Sequence, residues 1–121
     1  MLADATVSPD DWGVPEREAV QVIKHIVAWR FKDEALGATK AENLVRAKAA
    51  IEALRDLVPS VRHLEVGLDI GAAHDSWDIV IYAEFEDRGG LDAYQIHPEH
   101  VKVAELIGEM RELRAAIDYE V

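Results

Sequence analysis

The chain has 121 residues, half of them apolar, with 13 basic and 24 acidic side chains, a net charge of −11 and no cysteine. That length suits one domain with a real hydrophobic core. The acidic balance argues against nucleic acid or an anionic membrane as partner, and the missing thiols exclude disulfides, thiol catalysis and thiolate metal sites.

Residues 1–21 hold Asp4, Asp10, Asp11, Glu16 and Glu18 with two prolines and no sustained periodicity. They read as an N-terminal tail ahead of one domain over residues 22–121, with Trp12 as a candidate strap. The start lacks the basic stretch and apolar middle of a secretion signal, and no apolar run nears the ~20 residues that span a bilayer. A soluble, cytoplasmic protein is the expectation.

The segment VQVIKHIVAWRFK (20–32) alternates, placing Ile23, His25, Val27, Trp29 and Phe31 on one face and Val22, Lys24, Ile26, Ala28 and Arg30 on the other, as a strand does. Thr39 and Glu42 stand at capping-box spacing, and Leu44, Ala47, Ile51, Leu54 and Val58 recur at helical intervals up to Pro59. VRHLEVGLD (61–69) and WDIVIYAEFE (77–86) alternate again, the second showing Trp77, Ile79, Ile81, Ala83 and Phe85 on one face. A short helix over about 91–96 precedes a longer one from Pro98 to about Leu113, with Val101, Ala104, Ile107 or Leu106, and Met110 on its apolar stripe. AAIDYEV (115–121) reads as a last strand whose Asp118 and Glu120 face solvent.

Strand, helix, strand, strand, helix, strand is the order of an α+β ferredoxin-like βαββαβ plait, a four-stranded antiparallel sheet with helices on one side. Two helices cover one face. The other still carries Val22, Ile26, Ala28, Val80 and Tyr82, and a near-contiguous apolar patch asks for a cover. A second copy packed sheet to sheet supplies it, so a homodimer is expected.

DAYQIHPEHVKVAEL (92–106) places Tyr94, His97 and His100 around Pro98. Pro98 suits the first helical position, with His97 as N-cap and His100 in the first turn. The positive end of the helix dipole keeps a histidine there neutral, as a general base requires. Tyr94 offers a phenol, and His25 points from an apolar strand face toward core or pocket. The plainer reading, a capping histidine with a half-buried tyrosine, stands beside the catalytic one. His97 and His100 lack a third ligand at motif spacing, so no metal is expected. The absence of a phosphate-binding loop or dinucleotide fingerprint leaves no cofactor to expect.

IKHIVAWRFKDEA, VPSVRHLEVGLDI, WDIVIYAEFED, LDAYQIHPEHVKVAELI and AAIDYEV together resemble the stress-responsive A/B barrel domain, a family of the dimeric α/β-barrel superfamily, over about residues 22–121. Its most specific marks here are Lys24-His25 and the Tyr-x-x-His-Pro-x-His segment. The resemblance implies two sheets closing a barrel and a cavity between sheet and helices in each subunit. In plant polyketide cyclases of the family, a tyrosine–histidine pair performs cofactor-free aldol condensation; the matching positions are Tyr94 and His100, with His25 in the same pocket. Those cyclases carry a further histidine on strand three, near which this chain has Ile79. Trp29, Ile79, Ile81 and His97 are the ligand-binding candidates. The function expected is a homodimer with a pocket for a small, partly apolar molecule. The alternatives are a cofactor-independent acid–base enzyme and a purely structural or protective protein.

Overall fold

The computed structural model describes residues 22–121; the tail and Trp12 lie outside the described residues. β1 (Ile23–Phe31) is followed by a hairpin of β2 (Glu34–Ala35) and β3 (Ala38–Thr39), then α1 (Lys40–Glu52) and α2 (Leu54–Leu57). β4 (His63–Leu68), β5 (Ile79–Phe85), α3 (Arg88–Ile96), α4 (Pro98–Met110) and β6 (Arg111–Glu120) complete the chain. The main sheet has the order β4-β5-β1-β6 with every pairing antiparallel, so the ferredoxin-like plait expected from the element order is the observed fold.

The alternation in β1 has its physical outcome in burial: Ile23, His25, Val27, Trp29 and Phe31 are buried against the helices, and the residues between them are half-buried. Register then sorts the sheet into rows. Leu64, Ala83, His25 and Asp118 form one inner row, and Val66, Ile81, Val27 and Ala116 the next. Ala47, Ile51, Leu54, Val58, Ile107 and Met110 close over that face from the helices. On α4, Val103 and Leu106 join this packing while Val101 is exposed, so the stripe sits slightly off the expected one.

Among the described residues, nothing covers the opposite face. Tyr82, Ile26 and Ile117 lie side by side across it, as do Val80, Ala28 and Ala115. Ile117 remains 58% exposed and Leu113 49%. β6 is ten residues of edge strand exposed on both faces, a template that folded proteins normally shield.

α1 opens on a complete capping box. The Thr39 hydroxyl accepts from the Glu42 N–H, and the Glu42 carboxylate accepts from the Thr39 N–H at 2.9 Å. Thr39→Ala is expected to cost about 1 kcal/mol of stability, the usual worth of such a cap, read as a lower urea midpoint at unchanged slope.

Four local features depart from expectation. The β2–β3 hairpin was not anticipated; its turn holds Leu36 and Gly37 at φ +54° and +74°, and buried Asn43 anchors it by donating to the Ala35 carbonyl. The single helix expected over 39–58 is interrupted at Ala53. Trp77 precedes β5 instead of joining its inner face, and lies beneath the Arg30 guanidinium. The last strand starts at Arg111, inside the stretch expected to be helix.

Candidate functional site

A cavity of about 150 Å³ lies between the sheet and the helices. Its apolar lining comes from Val27, Trp29 and Ile81 on the sheet and Ile51, Leu54 and Ile107 on the helices. His25, Tyr94, Gln95 and His100 supply its polar groups, and Arg111 and Arg114 of β6 complete it. Trp29 and Ile81 line this cavity. Ile79 and His97 are not among the lining residues.

Sequence spacing alone leaves Tyr94 and His100 unrelated, and the α3–α4 corner brings them together. His97 caps α4, its Nδ1 accepting from the Glu99 N–H at 3.1 Å, with Pro98 at the start of the helix. Its extended backbone, φ −63° and ψ 135°, ends α3 and turns the chain. The last turn of α3 and the first turn of α4 then place the Tyr94 and His100 rings 4.3 Å apart between centroids. His25 comes from β1 and meets Tyr94 edge-on at 5.8 Å.

Each imidazole is oriented by a partner that can only accept. His100 Nδ1 lies 3.1 Å from the Gln95 carbonyl oxygen, so Nδ1 carries the proton and Nε2 keeps its lone pair. His25 Nδ1 contacts Asp118 Oδ1, directly beside it in the inner row. That contact fixes the ring's orientation and turns its Nε2 edge away from Asp118. Asp118, expected in a solvated strand face, instead stands behind a buried histidine while keeping partial exposure.

Protonation follows burial. Desolvation holds His100 below the ordinary histidine value; the bond to the Gln95 carbonyl opposes this, and His25, Arg114 and His97 add smaller repulsions. His100 is thus predominantly neutral at pH 7. Burial pushes the Tyr94 phenol up to about 12, so it remains a hydrogen-bond donor at any physiological pH. Among the described residues, no group of three or more His, Asp or Glu is placed to hold a metal ion.

The sequence of residues 23–121 matches the family model for the stress responsive A/B barrel domain. The chain belongs to that family. A dimeric protein of ferredoxin-like fold from Bacteroides fragilis is 35% identical, with a TM-score of 0.73, 83% of this chain and 96% of that one being covered. An A/B barrel family protein from Mesorhizobium loti is 29% identical with a TM-score of 0.60, covering 82% and 95%. The hydroxynitrile lyase from Passiflora edulis shares the fold at 16% identity, with a TM-score of 0.73 over 84% and 94%. A comparison with curated proteins finds no match.

Within this A/B barrel, sequence reasoning overlooked Arg111, Arg114 and Asp118. The two arginines stand three apart, a spacing that puts side chains on opposite faces of a regular strand. A bulge alters this: Phe31 faces Arg111 and Arg30 faces Leu113, so Glu112 has no partner across the ladder. Both arginines then fall beside the inward residues Phe31 and Trp29. No helix among the described residues is long and apolar enough to cross a membrane.

Proposed function

We propose that this A/B barrel protein is a cytoplasmic homodimer, with residues 22–121 as the barrel domain, whose subunit cavity binds a small, partly apolar molecule. The observation that carries the reading is the cavity itself: an apolar lining of Trp29, Ile81 and Ile107 on which the imidazoles of His25 and His100 and the Tyr94 phenol converge. Ligand sites typically combine an apolar wall with a few convergent polar groups in this way. A dry cavity of comparable size holds a benzene-sized solute, which sets the scale of the ligand body. The dimer follows from the uncovered apolar rows on the other face and from relatives described as dimeric. The lack of thiols fits a reducing compartment.

Acetophenone, a one-ring ketone, is expected to raise the melting temperature by several degrees at saturating concentration. Ala104→Phe, which fills the cavity from α4, should erase that shift while preserving the fold by circular dichroism. If small ketones and aromatic solutes alike leave the wild-type melting temperature unmoved, the binding reading fails.

A second reading is favoured by the His100 tautomer. A neutral imidazole with free Nε2, set beside a phenol donor, is the equipment for enolising a carbonyl without a cofactor. His100 would take the proton from the α-carbon, the electron pair passing to the carbonyl oxygen, where Tyr94 donates a hydrogen bond. His25, held by Asp118, would orient the same oxygen. The likeness to the lyase from Passiflora edulis is of fold alone.

A further inference from the structure

We infer that the cavity takes its ligand as a carboxylate: a monoanion whose head is held by Arg111 and Arg114 and whose one-ring or short-chain body lies on Trp29 and Ile81. This rests on the binding reading above and adds the chemical class of the ligand.

The charge pattern is the first support. The chain has nearly twice as many acidic as basic residues, yet the cavity lining contains two arginines, two histidines and no aspartate or glutamate. Asp118, the carboxylate that contacts the cavity's His25, is already engaged by that histidine.

The arginines themselves are the second support. Elsewhere on the surface Arg62 pairs with Glu86, and Arg88 with Glu120 on the same strand β6. Among the described residues Arg111 and Arg114 have no carboxylate partner. The bulge at Glu112 is what sets both on the cavity side. Strand irregularities of this kind re-aim side chains toward sites. A planar guanidinium fork matches a carboxylate with two parallel hydrogen bonds. A cavity walled mostly by apolar groups favours one negative charge over two, because desolvating a dianion costs far more. The repulsion Arg114 exerts on protonated His100 agrees with a guanidinium close to the histidine.

Phenylacetate and its neutral isostere phenylacetamide separate charge from shape. By calorimetry, phenylacetate should bind wild type at least about tenfold more tightly than phenylacetamide, the usual worth of a charge-assisted pair. The double variant Arg111→Gln with Arg114→Gln should bring phenylacetate to the level of phenylacetamide. Both positions are exposed, so the fold should tolerate the change, and a retained melting temperature checks it. Equal affinity of acid and amide for wild type, with Ala104→Phe abolishing both, would overturn the carboxylate assignment and leave the pocket standing. An acid preference that survives the double variant would also overturn it. Failure of both compounds to bind would overturn the assignment together with the binding reading.

Discussion

Ile117→Asp combined with Val80→Asp is expected to convert the protein from dimer to monomer at about 10–100 µM, an ordinary range for sedimentation or light scattering. Both positions belong to the uncovered face, Ile117 being 58% and Val80 37% exposed in the isolated subunit. Aspartates there cost the subunit little, because they stay in water. In a sheet-to-sheet dimer the same side chains would be buried, and two-fold symmetry buries each change twice. An uncompensated buried charge costs roughly 3–5 kcal/mol, and each 1.4 kcal/mol is about tenfold in affinity. A micromolar dimer would therefore dissociate far beyond any working concentration. The net charge of −11 per chain adds repulsion in the same direction. The monomer should keep its secondary structure. A double variant that still sediments as a dimer would place the interface elsewhere, and a monomeric wild type would remove it.

The inner face of this sheet was legible because burial there is simple. β1 alternates without interruption, and the residues expected inside are the ones buried. The apolar stripe from α1 through α2 was equally plain, since Ala47, Ile51, Leu54 and Val58 keep helical spacing and are buried, with Leu44 partly so. Difficulty began where pairing overrode local preference. EMRELRA is rich in good helix formers, yet from Arg111 onward the chain pairs with β1, and tertiary pairing outweighs a propensity worth a few tenths of a kcal/mol per residue. That early strand start and its bulge decide which way Arg111 and Arg114 face, so an error of four residues hid two of the cavity's cations. Asp118 was hidden for another reason. Its alternation with Ile117 and Tyr119 was read correctly, but the register that sets it beside His25 belongs to the pairing of two distant strands. The Tyr94–His100 approach depends on the corner at His97, whose angle no spacing rule supplies.

Replacing His100 by glutamine should slow enolisation by about 10²–10⁴-fold, the usual contribution of a positioned general base. The assay is exchange of the α-protons of a β-ketoacid such as benzoylacetate in deuterated buffer, followed by NMR against the buffer rate. Wild type should exceed that rate, with activity rising through an apparent pKa below 6.5, because the base works only when neutral and burial depresses its protonation. Tyr94→Phe should retain the position of that pH profile and lower its height, since the phenol acts as a donor throughout and titrates only near 12. Linkage provides a readout independent of turnover. Well above pH 6.5 His100 is neutral in both folded and unfolded chains and adds no pH dependence. As pH falls from 6.5 toward the depressed folded value, the unfolded chain takes up a proton that the folded state resists, so stability declines. His100→Gln removes that share of the decline and should flatten the acid side of a melting-temperature profile. Wild-type exchange no faster than buffer would end the enzymatic reading. A variant with unchanged exchange and an unchanged acid slope would show that this imidazole is neither the base nor the buried group that resists protonation.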